Sequence, residues 1–464
     1  MSDRVELLIA HLARHRDPAS VPARAHDAAR VWVYDTIPVA LAGRSVPQSA
    51  QLLAAVRRWG AADSARVWGS DERLPTPNAA LVNAFHIHNQ EFDCVHEKSV
   101  VHPMAVILAA LLSFADSRSG GKCISGAQFT ASLALAVDVA TVIGMGARRS
   151  IRFFRPAQCG CLGAVAGLAI LAGLDEGGMR DAFGLAYSQL AGTMQAHIEG
   201  TPTLALQVGF AARAAVCAVD LAVQGFRAPH EILDGQHGYF ALFEPDAITP
   251  DASDSPFSEL GSIWQIECVS HKPFPTGRAA QGGIAGLRAL MREHRFGADD
   301  VEKIVVFSPP LVRQLVDRPM VTAMTVNYAR LCMPFLMATT LRNGTVGLDA
   351  YRAEALADND LANLAARVAM AADCNVDVNA LRPQKIEVTL KGGRQHVHDM
   401  DYVYGAPEAP MSPEEQHEKF VACCAHAPAP LAAEEVIALR HAINSLPALV
   451  DVSQLVSLTS PQQP

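Results

Sequence analysis

Groups able to do acid–base chemistry are concentrated in one short stretch of this sequence, between Glu91 and Pro103. Two of them, Asp93 and His102, lie nine residues apart and can meet only if the loop between them folds back. A carboxylate or an imidazole beside an acidic C–H bond can take its proton as a general base. Apolar residues 104–114 follow at once, and ionisable groups next to a buried run must bind a ligand or one another. The pattern indicates a proton-transfer site, with helix capping as the alternative role for His102.

A second stretch with chemical potential is residues 271–278, His-Lys-Pro-Phe-Pro-Thr-Gly-Arg. Its two prolines and its glycine fix an irregular backbone around Lys272 and Arg278, which suits a loop that binds an anion. A lysine desolvated between two domains can act as an acid or a base. Arg278, and also Arg155, could bind substrate carboxylates through paired hydrogen bonds. A structural salt bridge is the alternative for each arginine.

The elements that must position these loops are mostly helices. Apolar residues recur at helical spacing from residue 4 to about 243, with a long alanine-rich helix predicted at 205–224. Beyond Pro245 the pattern becomes mixed. We predict strands at 263–269 and 301–307, helices at 281–293 and 328–341, and a hairpin over 385–398. Helices return after Gly405.

Composition narrows the class of protein. The chain has 464 residues, is 50% hydrophobic and has a formal net charge of -9, which favours a helix-rich soluble enzyme and disfavours nucleic acid as a partner. The apolar runs at 129–145 and 162–174 are expected to be buried helices, too short to span a membrane. The ten cysteines form no disulfide or zinc pattern, and the charged start resembles no signal peptide, so we expect a cytoplasmic protein. No nucleotide-binding glycine motif occurs.

The histidines around the first stretch could also form a metal site. His86, His88 and His96 are close in sequence, but their spacing completes no ligand set, so no metal is expected.

Two motifs carry a resemblance to a known family. They are His88 followed by Glu91-Phe92-Asp93-Cys94 and His102-Pro103, and the loop Lys272-Pro273-Phe274-Pro275. The chain is similar in both to the MmgE/PrpD family, which includes 2-methylcitrate dehydratase, cis-aconitate decarboxylase and iminodisuccinate epimerase. The resemblance implies a mainly α fold. A large helical domain would be built from residues 1–265 and 405–464, with a smaller α+β lid domain inserted at 266–404. It also implies a homodimer formed through the helical domain.

Several positions depart from the family pattern. Arg155 stands where the family has a histidine, Leu204 and Gln207 replace a lysine and a histidine, and Cys94 replaces an aspartate. A further family histidine aligns near Gln281. Loss of these polar groups argues against unaltered dehydration or decarboxylation.

We therefore expect an epimerase that works without a cofactor. It would invert a carbon alpha to a carboxylate in a small, iminodisuccinate-like polycarboxylate, with cationic groups stabilising the enediolate-like transition state. The alternatives are a 2-methylcitrate-type dehydratase, a cis-aconitate-type decarboxylase and a degenerate binding protein. The candidate catalytic residues are Asp93, His102, Lys272 and Tyr328, and the candidate substrate-binding residues are Arg155, Arg278, His88 and Gln158. Packing is the alternative role for Tyr328.

Overall fold

The structure is a computed structural model that describes residues 3–119, 121–249, 252, 254–321 and 323–461. The prediction of a mainly α protein is confirmed. The first half contains α1 (Arg4–Arg14), α2 (Ala23–Gly43), α3 (Pro47–Arg57), α4 (Thr76–His88), α5 (Pro103–Asp116), α6 (Gly126–Met145), α7 (Arg155–Ala172), α8 (Glu176–Tyr187), α9 (Gln195–Glu199), α10 (Thr203–Val223) and α11 (Tyr239–Leu242). The second half contains α12 (Arg278–His294), α13 (Pro310–Val316), α14 (Val326–Ala329), α15 (Met333–Asn343), α16 (Ala353–Leu356), α17 (Asn359–Ala365), α18 (Pro413–Ala425), α19 (Ala433–Asn444) and α20 (Gln454–Ser457).

The strands are short and form three separate sheets. They are β1 (Ala65–Arg66), β2 (Arg73–Leu74), β3 (Val95–His96), β4 (Val269–Ser270), β5 (Val301–Ser308), β6 (Val368–Ala372), β7 (Gln384–Leu390) and β8 (Gln395–Met400). The largest sheet has the order β6-β5-β7-β8, with β5 and β6 parallel and the other pairs antiparallel. The predicted hairpin is therefore confirmed as β7–β8, whereas sequence reasoning missed β6.

Helices α5, α6 and α7 form the centre of the helical part. They are buried on nearly all sides, which explains why their sequences are apolar all round. Glycines on α7 allow the close packing: a Cβ at Gly163 would lie 2.5 Å from the carbonyl oxygen of Ala136 on α6. A serine capping box, Ser125 with Gln128, fixes the start of α6.

Three helices, α6, α7 and α10, are long and apolar enough to cross a membrane, by length and composition alone. The expectation that the apolar runs are too short to span a membrane is wrong for the helices that contain them, α6 with 20 residues and α7 with 18. Within the protein, 89% of the apolar window of α6, 83% of that of α7 and 50% of that of α10 are buried. Packing against other helices therefore accounts for the composition of α6 and α7.

Two other expectations need correction. The segment 263–269 does not form a strand along its length. It forms a 3-10 turn at Gln265–Cys268 and then only the two-residue β4, because the backbone N–H of Gln265 donates to Asp138 on α6. The helix predicted over 328–341 is broken between α14 and α15, where Pro334 lies in the first turn of the second helix.

The C-terminal helices return to the first part of the chain. Lys419 on α18 donates to Asp35 on α2 at 2.7 Å, and α19 also packs against α2. The division into residues 1–265, 266–404 and 405–464 stays a prediction.

Candidate active site

The loop between α4 and α5 does fold back on itself. The backbone N–H of His96 donates to the carbonyl of Val101, and that of Val101 returns a bond to His96. Two non-glycine residues, Glu91 and Val100, have positive φ angles of 51° and 54°, a strained conformation that clusters at functional sites. This turn brings Asp93 back towards His102, which occupies the N-cap position of α5.

Asp93 is fully buried and binds two histidines at once. Its Oδ2 lies 3.0 Å from Nδ1 of His88 and 3.2 Å from Nδ1 of His102. The His102 side chain makes no capping hydrogen bond to α5, so the side chain serves the contact with Asp93. Since the shared carboxylate accepts a hydrogen bond from the Nδ1–H of neutral His102, the Nε2 of that ring is left as the basic nitrogen.

Lys272 joins this cluster from the second loop. Strand β4 pairs with β3, with Val95 opposite Ser270. Because Lys272 follows Ser270 by two residues, this pairing places the lysine next to the acidic loop. The Lys272 Nζ donates to Glu91 Oε2 at 2.9 Å and lies 3.6 Å from Asp93 Oδ1. Sequence-distant loops thus place two carboxylates, two imidazoles and one ammonium group in one buried cluster.

The charges in the cluster shift the pKa values in opposite directions. Burial opposes ionisation of Glu91, yet Lys272 and the two histidines outweigh it and lower the pKa of Glu91 to about 2. The same groups hold the pKa of Asp93 well below its usual range, again against burial. Both carboxylates are therefore ionised at neutral pH.

The two histidines respond differently to their surroundings. Burial opposes a charge on His88, but the neighbouring carboxylates of Asp93 and Glu91 outweigh it and raise the pKa of His88. Burial, and then the charge of Lys272, lower the pKa of His102 despite Asp93. The raised pKa favours the charged ring of His88, whereas the lowered pKa favours the neutral ring of His102.

A small cavity of about 60 Å³ lies over this cluster. His88, Glu91 and His102 form its polar end, while most of its remaining wall is apolar. His197 also lines the cavity and was missed by sequence reasoning.

His197 is held in one tautomer by a distant arginine. Arg318 donates to Nδ1 of His197 at 3.1 Å, so the proton of the neutral ring is on Nε2. Burial, and then Arg318, lower the pKa of His197 to about 4, so the ring is neutral at pH 7. Its Nε2 is buried without a hydrogen-bond partner among the described residues. The side chain thus offers a free N–H donor at the cavity wall.

The two candidate arginines are already committed to protein groups. Arg278 lines the cavity, but its N–H groups are bound to Glu97 and to the carbonyls of His271, Val403 and Tyr404. Arg155 donates from its Nε to Glu244 at 2.8 Å, and its other nitrogens bind Asn379 and a backbone carbonyl. In this structure the salt-bridge role accounts for both side chains.

The remaining candidates, Tyr328 and Gln158, lie outside the cluster. The Tyr328 hydroxyl donates to the carbonyl of Pro319 at 2.8 Å, and its ring lies 4.9 Å from the guanidinium of Arg318. Tyr328 therefore reaches the cavity only through Arg318 and His197. Gln158 is buried on α7, and neither polar atom of its amide has a partner among the described residues.

His88, Asp93 and His102 also satisfy the geometry of a metal site. They offer one ligand atom each, and these atoms lie within 4.8 Å of one another. Two imidazoles and a carboxylate are donors that zinc or non-haem iron accepts. However, Lys272 lies 3.6 Å from the same carboxylate, and a fixed ammonium group there disfavours a second cation.

Comparison with known proteins gives this geometry a family context. The model of the MmgE/PrpD N-terminal domain matches residues 8–249, and that of the C-terminal domain matches residues 274–444. The chain belongs to the MmgE/PrpD family. The loop that carries Asp93 and His102 lies within the first match, and Lys272 lies two residues before the second.

Relatives of the chain within the family have names that describe one activity. A human protein named cis-aconitate decarboxylase is 27% identical over 419 residues, covering 86% of this chain and 83% of that protein. The cis-aconitate decarboxylase-like protein oryM of Aspergillus oryzae is 25% identical over 460 residues, covering 96% and 94%. The mouse cis-aconitate decarboxylase is 27% identical over 409 residues, covering 85% and 81%. These similarities favour the lyase alternative over the epimerase that the sequence departures suggested.

Proposed function

We propose that this protein is a lyase that removes carbon dioxide from a small unsaturated carboxylic acid without a cofactor. The observation that carries this proposal is the Asp93–His102 pair, which faces a closed cavity and leaves one imidazole nitrogen free. The names of the MmgE/PrpD relatives support the reaction class. The substrate would share the five-carbon skeleton of glutaconate, of which aconitate is the 3-carboxy derivative.

The chemistry requires one proton and no redox partner. The bond between C4 and the C5 carboxylate breaks and releases carbon dioxide, and its electron pair forms the new C3–C4 double bond. The former C2–C3 double-bond pair moves to C2, alpha to the remaining C1 carboxylate, and C2 takes a proton. His102, protonated at Nε2, supplies that proton and recovers it from solvent after product release.

The neighbours of His102 have distinct duties in this scheme. Asp93 orients the ring and stabilises its charged form. Lys272 keeps Asp93 and Glu91 ionised, since it contacts both carboxylates and does not itself line the cavity.

One observation favours a second candidate function. The lowered pKa of His102 leaves the ring mostly neutral at pH 7, and a neutral ring is ready to abstract a proton as a general base. That property suits the epimerisation of a carbon alpha to a carboxylate.

Proton NMR in deuterated water separates the two candidates. The purified protein is incubated with cis-aconitate, 3-methylglutaconate, 2-methylcitrate and iminodisuccinate in turn, and carbon dioxide is measured in parallel. We expect carbon dioxide from one of the first two compounds, with one deuterium at C2 of the product. Deuterium entering iminodisuccinate with inversion, and no loss of carbon dioxide, would instead establish the epimerase.

A further inference from the structure

The cavity differs sharply between its two ends. The reactive end contains the buried acid–base cluster, while the opposite wall is hydrocarbon. That wall is contributed by both halves of the chain, principally Ile151, Phe154, Met194, Leu204, Leu315 and Leu381. Pockets that bind highly charged ligands need convergent polar groups, and this wall offers none.

Cations that could neutralise a polyanion are scarce around the cavity. The N–H groups of Arg278 are all bound by protein oxygens. Those of Arg330, also buried, include bonds to the backbone of Asn89 and the side chain of Gln90. Lys272 already faces two carboxylates. Among the described residues, Arg278 and Lys272 are therefore already paired with carboxylates of the protein and are not free to bind a third substrate carboxylate.

The cavity wall also carries a negative charge of its own. Glu91 lines the cavity and is ionised at neutral pH, as its low pKa requires. Moving several anionic groups into a buried site next to a fixed carboxylate is unfavourable for each charge that stays unpaired. The donors left at the cavity are Nε2 of His197 and, once its ring is protonated, Nε2 of His102, which serve two carboxylates and leave a third without a partner.

Leu204 contributes an apolar side chain to the cavity wall, where the family pattern implies a basic one. It lines the cavity from the first turn of α10, at the position aligned with a lysine in the family pattern. The aligned histidine is Gln207, whose amide is bound to the backbone of Thr193 on both sides. The α10 side chain that lines the cavity, Leu204, is thus a hydrocarbon group.

We propose that the substrate is an unsaturated dicarboxylate with a hydrocarbon substituent, such as a 3-alkylglutaconate. The two carboxylates would lie at the His102–His197 end, and the alkyl group would replace the central carboxylate of aconitate and pack against Leu204. This inference rests on the proposed function for the reaction, but the shape of the ligand is a separate claim.

Binding of a homologous series tests the ligand class. Calorimetric titration compares cis-aconitate with glutaconates bearing methyl, propyl and pentyl groups at C3. Each methylene placed against the wall should tighten binding about 3- to 4-fold until the wall ends. Cis-aconitate should bind more weakly than the propyl compound, and stronger binding of cis-aconitate, or no gain with chain length, would overturn the proposal.

Variants on α10 locate the effect. Leu204→Lys should abolish the gain with chain length and improve binding of cis-aconitate, and Leu204→Ala should reduce the gain without adding charge. Phe210→Lys is the matched control, because Phe210 is on the same helix but 43% exposed and outside the cavity lining. It should keep the full gain. Thermal unfolding of each variant confirms that it is folded.

Carbon dioxide release in the same samples keeps the two proposals apart. Tighter binding of longer alkyl chains with no carbon dioxide would retain the ligand class and reject the lyase. Carbon dioxide release from cis-aconitate with no dependence on chain length would retain the lyase and reject the ligand class.

Discussion

Two of the lysines that the structure describes are buried, Lys272 and Lys419, and their surroundings differ in a way that distinguishes a structural pair from a reactive cluster. Lys419 has one carboxylate partner, Asp35, and its remaining contacts are the carbonyl and the ring of Phe92. Lys272 faces two carboxylates, with two histidines on the far side of Asp93. The first arrangement is a pair of one cation with one anion, and it joins α18 to α2. The second also contains two imidazoles, which can exchange protons.

The comparison shows that burial of a charged side chain does not by itself identify an active site. Both lysines are almost inaccessible, and the carboxylate of the smaller pair, Asp35, is buried like Glu91 and Asp93 of the cluster. What distinguishes the cluster is its neighbouring cavity and its unequal number of acids and bases. The following predictions test that distinction.

The largest effect is expected from removing the shared carboxylate charge. Asp93→Asn should lower the rate of carbon dioxide release about a thousandfold, because His102 loses the group that orients and charges it. Asp35→Asn is the matched change in the Lys419–Asp35 pair and should leave the rate per folded molecule within about twofold, while lowering stability. Steady-state kinetics on both variants tests this prediction. Equal losses of rate would show that Asp93 and Asp35 do not differ in their role.

Removing each lysine should separate stability from activity. Lys272→Met and Lys419→Met each leave a buried carboxylate without its cation, so each should cost about 3 kcal/mol of unfolding free energy. Only Lys272→Met should also abolish activity in the fraction that remains folded. Denaturant unfolding and an activity assay on the same preparations provide both readings, and a fully active Lys272→Met variant would contradict the role given to Lys272.

The smallest expected effect is a change of rate with pH in the unmodified protein. If protonated His102 delivers the proton, kcat/KM should fall about tenfold per pH unit above the pKa of that group. Burial and Lys272 lower this pKa, so the fall begins below the usual histidine range. The epimerase role needs the neutral ring, and its rate would fall on the acid side of the same pKa instead.

Sequence reasoning reached the reactive end of the cavity because its residues sit in two short motifs. His102 and Lys272 each precede a proline, and Asp93 lies in the same short stretch as His102, so their types and positions could be read locally. The helical class was equally accessible, since apolar spacing reports helices directly. Segment 263–269 was misread because its β-branched residues resemble a strand, while a contact to Asp138 decides its path.

The rest depends on contacts between residues far apart in the sequence. Arg278 looks like a free cation until the carbonyls of Val403 and Tyr404 are seen to occupy it. His197 gave no signal in the sequence, because its useful tautomer is set by Arg318, 121 positions away. Hydrogen bonds of this kind leave no local pattern.

The short pairing of β3 with β4 has a consequence for how the protein acquires activity. It joins Val95 to Ser270, and the Glu91–Lys272 contact spans 181 positions, so the chain must close a long loop before the site is complete. Contacts of such sequence separation form late in folding. A growing chain on the ribosome would therefore expose two uncompensated carboxylates until its second half emerges, and the first appearance of activity would report completion of the tertiary structure.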